Sequence, residues 1–98
     1  MNNLTLQFSV DHPTAPGHFP DNPIIPGALL LAEVLQVIGD AAGKGFVPFG
    51  VISVKFQHPV RPGDNVDISY SPAALMNFKC TVTGVLVMSG VISAAMHA

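Results

Sequence analysis

Pro26-Gly27-Ala28-Leu29-Leu30-Leu31-Ala32-Glu33-Val34-Leu35-Gln36-Val37-Ile38 is the stretch whose reading decides the fold. Proline is tolerated in the first turn of a helix, where its missing N–H would have had no partner. Apolar residues then continue on nearly all sides, which predicts a buried helix rather than a surface one. The only polar residues, Glu33, Gln36 and Asp40, fall at i, i+3 and i+7 and form one narrow stripe. Gly39 and then Gly43-Lys44-Gly45 are expected to close the helix.

On either side of this helix the pattern changes to strands. Leu4-Thr5-Leu6-Gln7-Phe8-Ser9-Val10 alternates apolar and polar, the signature of a strand with one buried face. After Gly50, Val51 to Phe56 reads as a strand, Pro62-Gly63-Asp64 as a turn and Asn65 to Tyr70 as the next strand. Phe78 to Val87 follows, and Ser89-Gly90 is expected to reverse the chain into Val91 to His97. One helix after a first strand, then a run of antiparallel strands, predicts an α+β fold: an antiparallel sheet wrapped around one central buried helix, as a single domain over residues 1–98.

Composition narrows the function. Charged residues make up 10% of the chain and hydrophobic ones 49%, too little charge to cover a small monomer, so an apolar face buried against another subunit is expected. The formal net charge is −2 and the cations Lys44, Lys55, Arg61 and Lys79 are scattered, which leaves no footprint for nucleic acid. Met1-Asn2-Asn3 lacks the basic start of a secretory signal, and Pro26, Glu33 and Gln36 interrupt the longest apolar run. These features predict a soluble cytoplasmic protein. Cys80, the only cysteine, reads as a small core residue, and the four histidines show no metal-binding spacing.

Asp11 to Pro26 holds five prolines, Pro13, Pro16, Pro20, Pro23 and Pro26, so it is an irregular but stiff segment. It carries His18 and delivers the chain to Gly27 at the helix start. An imidazole can move a proton near neutral pH, and the free N–H groups of a helix start can hold a carbonyl that is becoming an oxyanion. On the residues alone, His18 reads more often as a hydrogen-bonded structural histidine, and Gly27 is also readable as simply a helix-start glycine.

Gly17-His18-Phe19-Pro20-Asp21-Asn22-Pro23-Ile24-Ile25-Pro26-Gly27 resembles the active-site segment of the (3R)-hydroxyacyl-acyl carrier protein dehydratases, enzymes with the hot-dog fold. His18, Phe19, Pro20, Pro23, Pro26 and Gly27 match the family motif, and Gln36, eighteen residues after His18, matches a family glutamine. Val54 to Asp64 and the Gly84 to Ala94 hairpin also resemble the family, so the likeness spans nearly the whole chain. Two positions depart: Ala32 stands where the family has its catalytic acid, fourteen residues after the histidine, and Asp21 stands where it has glycine.

The resemblance implies a dehydratase or hydratase of 3-hydroxyacyl thioesters, with His18 as base and the Gly27 amide as oxyanion donor. It implies Phe19, Pro26 and Leu30 as substrate contacts, with Leu29, Phe46 and Phe49 as further candidates for an acyl tunnel. With Ala32 unable to act as an acid, Gln36, Glu33 and Asp21 are the candidate supporting residues. No cofactor or metal is implied. The substrate would arrive on the phosphopantetheine of an acyl carrier protein or on coenzyme A, and the protein would be a homodimer or higher homo-oligomer, or a heterodimer with a paralogue. A hot-dog thioesterase and a non-catalytic subunit of a mixed dimer are the competing readings.

Overall fold

The structure, a computed structural model, describes residues 2–8, 24–43 and 45–96, apart from the Met96 side chain. Strand β1 (Asn2–Gln7) is followed by helix α1 (Gly27–Ala42), then by β2 (Phe46–Phe56), β3 (Asn65–Tyr70), β4 (Leu75–Val82) and β5 (Val85–Met96). The strands form one sheet in the order β1-β3-β4-β5-β2, antiparallel at every pairing. This is the expected layout of one helix and an antiparallel sheet.

Period-two alternation sets the register. Leu4, Ile68, Cys80, Met88 and Phe56 pair in succession across all five strands, a single row that faces the helix. Its three central members are fully buried, together with Tyr70, Phe78, Met76 and Ile92 in neighbouring rows. The helix adds Leu30, Val34 and Ile38, spaced four apart so that they lie on one stripe. Each such side chain contributes about 1.5–3 kcal/mol when fully buried. Burial pushes the Cys80 thiol up to about 12, so at neutral pH it is a packed apolar group and not a nucleophile.

Four expectations need correction. The helix is not buried on nearly all sides: only Leu30, Val34 and Ile38 are, while Leu31 and Leu35 are half-covered and Ala28, Ala32 and Gln36 are exposed. The helix also runs through Gly39 to Ala42 before Gly43, at φ +93°, ends it. β2 starts at Phe46 rather than Val51, because an edge strand tolerates Pro48 and bulges, which fall between Pro48 and Gly50 and between Val51 and Ser53.

The last hairpin turns at Thr83-Gly84, not at Ser89-Gly90. Both turn residues have positive φ, +47° and +83°, as the tight hairpins whose twist matches the sheet require. β4 therefore ends at Val82, and Ser89 and Gly90 lie inside β5. Gly90 is small for another reason: a Cβ there would sit 2.6 Å from the Ser53 carbonyl oxygen and 3.0 Å from the Phe78 ring. The Pro62-Gly63 turn is as expected, with Asp64 N–H donating to the Arg61 carbonyl at 3.0 Å and Gly63 at φ +95°. β1 ends at Gln7, and the expected continuation through Ser9 and Val10 lies outside the described residues.

Candidate active site

The helix start is tied to the sheet by one backbone bond. Ile25 N–H donates to the Val60 carbonyl at 2.7 Å, just past the end of β2. Pro26, with φ −56° and ψ 139°, then swings the chain into the helix, and no side chain caps it. The first intrahelical bond runs from Leu30 N–H to the Pro26 carbonyl at 3.0 Å. The amides of Gly27 and Ala28 consequently donate to no other described residue. They stand at the positive end of the helix dipole, where negative charge is stabilised.

A cleft of about 350 Å³ opens here, between the helix start and the end of β2. Ile24, Ile25, Gly27 and Leu30 line one side, and the run Phe56 to Val60 lines the other. At its centre the Phe56 ring lies against Gly27. A Cβ on Gly27 would be 3.0 Å from the ring's Cε1 and 3.1 Å from Cζ, so the glycine is what lets the ring come this close. Phe56 remains 52% exposed, so its other side faces open space. Gln57 is held at the rim by its Nε2, which donates to Ser89 Oγ at 3.2 Å, and by its N–H, which donates to the Val87 carbonyl at 2.9 Å.

An apolar cleft lined by the Gly27 amide, which pairs with no other described residue, suits an acyl group whose carbonyl needs hydrogen-bond donors. The hollow of about 280 Å³ on the opposite face of the sheet, lined by Lys55, Lys79, Phe78, Val91 and serines 53, 69 and 89, has no helix terminus. The cleft is therefore the candidate site for carbonyl chemistry.

Comparison with known proteins gives the chain a family. Residues 2–91 match the ApeI-like family, described as ApeI dehydratase. The chain belongs to that family. A curated relative of the ApeI-like chain, the 3-hydroxyacyl-[acyl-carrier-protein] dehydratase FabZ of Haemophilus influenzae, is 32% identical over 94 residues, covering 88% of this chain. The chain spans 64% of that relative's length. Among solved structures, the dehydratase heterocomplex ApeI:P of Xenorhabdus doucetiae superposes with a TM-score of 0.80 at 22% identity, over 95% of this chain and 85% of that one. The (R)-hydratase of A. caviae involved in PHA biosynthesis gives 0.72 at 20% identity, over 98% and 93%. These likenesses make the fold of the ApeI-like chain a hot-dog fold.

The structure brings Gly27 and Leu30 together in the cleft. Pro26 sits exposed at the helix cap, outside the cleft lining. Ala32 and Gln36 are exposed and Glu33 is half-buried, and none of the three lines the cleft. Phe46 is buried in the core, Phe49 is 71% exposed on β2 and Leu29 is half-buried, and none of the three lines the cleft. His18, Phe19 and Asp21 lie outside the described residues. Among the described residues, no group of His, Cys, Asp and Glu could hold a metal, and no helix is long and apolar enough to cross a membrane.

Sequence reading missed Phe56, Gln57 and His58 as residues lining the cleft. Their signal was the Val54 to Asp64 segment, which matched the family as a strand and turn and not as a wall of the cleft.

The contact between Gly27 and Phe56 is testable by a double-mutant cycle in urea. Gly27→Ala should destabilise the wild-type background by about 1 kcal/mol through crowding. In the Phe56→Ala background that loss should largely vanish, leaving a coupling of about 1 kcal/mol. Equal losses in both backgrounds would contradict the packing.

Proposed function

We propose that this chain is a dehydratase of 3-hydroxyacyl thioesters, working in the cytoplasm on substrates carried by phosphopantetheine of an acyl carrier protein or by coenzyme A. The observation that carries the reading is the apolar cleft lined by Gly27, whose amide pairs with no other described residue, in a chain of the ApeI-like family. Elimination of water across C2 and C3 needs the thioester oxygen stabilised as the α-proton leaves. The Gly27 amide meets that need, and one such donor is worth about 3–4 kcal/mol of barrier. Leu30 and Phe56 hold the acyl chain beside it. His18 is the base, an assignment that comes from the family motif in the sequence. No cofactor takes part, because the reaction moves only protons and water.

The same reading includes a homodimer. β2 is a terminal strand whose outer edge pairs with no described strand, and Val47, Phe49, Val51, Ile52 and Phe56 are large exposed apolar residues along it. A long apolar edge of this kind invites antiparallel pairing with its own copy about a two-fold axis. The half-covered Leu31 and Leu35, with exposed Ala28 and Ala32, give the helix an apolar flank as well.

Pure protein given a 3-hydroxyacyl-carrier-protein thioester should yield the enoyl thioester by mass spectrometry. His18→Ala should lose about 10²- to 10⁴-fold in rate, the usual contribution of a general base. Free acid as product would instead make the chain a thioesterase, and no product at all would leave a partner subunit. Phe49→Asp combined with Val51→Lys should run at the monomer mass in light scattering, where the wild type runs as a dimer; an unchanged mass would remove β2 as the interface.

A further inference from the structure

Dehydration has a second proton requirement. The α-proton is taken by a base, but hydroxide is a poor leaving group and must receive a proton as the C3–O bond breaks. Ala32 has no proton to give, the Gln36 amide is not an acid, neither Gln36 nor Glu33 lines the cleft, and Asp21 lies outside the described residues. Among the described residues of the cleft, His58 is the only one that carries a titratable side chain. It sits just past the end of β2, where its backbone N–H donates to the Val87 carbonyl at 3.4 Å, on the wall opposite Gly27 and Leu30.

We propose that His58 is the general acid of the reaction, an inference that rests on the dehydratase reading above. The base removes the Cα proton, and the electron pair moves onto the thioester oxygen held by the Gly27 amide. As that pair returns to form the C2=C3 double bond, the C3–O bond breaks toward oxygen. The His58 imidazolium passes one N–H proton to the departing oxygen, which leaves as water. The neutral imidazole then takes a proton from solvent, and the base returns its own to solvent, so nothing is oxidised or reduced. An imidazole suits the task because it exchanges protons near neutral pH. The residue is exposed, so replacing it disturbs no core packing. It also borders the adjoining hollow with Arg61 and Asp64, whose side chains are the charged groups on that side.

The leaving group supplies the test. Matched 3-hydroxyacyl and 3-fluoroacyl pantetheine thioesters differ in whether departure needs a proton, since fluoride leaves as a weak base. Wild-type protein should form the enoyl thioester from both. His58→Gln and His58→Asn should lose about 10²- to 10⁴-fold on the hydroxy substrate while keeping the wild-type rate on the fluoro substrate. Parallel loss on both substrates, or loss on neither, would overturn the assignment while leaving the dehydratase reading intact. A wild-type protein that forms no enoyl product from either substrate would overturn the dehydratase reading and this inference with it.

Discussion

The architecture depends on one apolar stripe. Leu30, Val34 and Ile38 are the only helix residues fully buried, and they seal the inward rows of β3, β4 and β5. Three buried side chains at about 1.5–3 kcal/mol each are a large share of a small domain's net stability. The stripe also fixes where the helix starts. With Leu30 seated in the core and Ile25 bonded to Val60, the first turn must lie beside the end of β2. The cleft is the space left where the strand runs past the helix start, and its floor is the Gly27 backbone.

That geometry gives Phe56 two roles. It is the last member of the inward row that begins at Leu4, and it is the ring resting on Gly27. Core and site therefore meet at one side chain. The cleft is apolar because the core rows continue into it, and the Gly27 and Ala28 amides pair with no other described residue because a proline cap with no side-chain acceptor leaves them so.

Much of this was legible in the residues. The Pro62-Gly63-Asp64 turn gave β3 its observed start at Asn65, and Pro26-Gly27 marked the helix start. The last hairpin was misread because Ser89-Gly90 carries a small-residue signal that serves close packing on Phe78, not reversal. A lone glycine does not say whether it is there for its φ or for its missing Cβ. The helix looked buried on all sides because sequence reports hydrophobicity and not which neighbour covers it; Leu31, Leu35 and the β2 edge are apolar yet uncovered within one chain. His58 was invisible as a site residue for a related reason. It lies thirty-one positions after Gly27, and only the fold brings the two to one cleft.

The central claim is that a thioester carbonyl binds at the helix start. The direct measurement is the amide NMR spectrum of labelled protein titrated with a 3-hydroxyacyl amide analogue that cannot be turned over. The account predicts saturable shifts of the Gly27 and Ala28 amide resonances, with contacts from the acyl chain to Leu30 and Phe56. Shifts confined to Ser69, Lys79 and Ser89 on the far face of the sheet, with Gly27 unmoved at saturation, would contradict it.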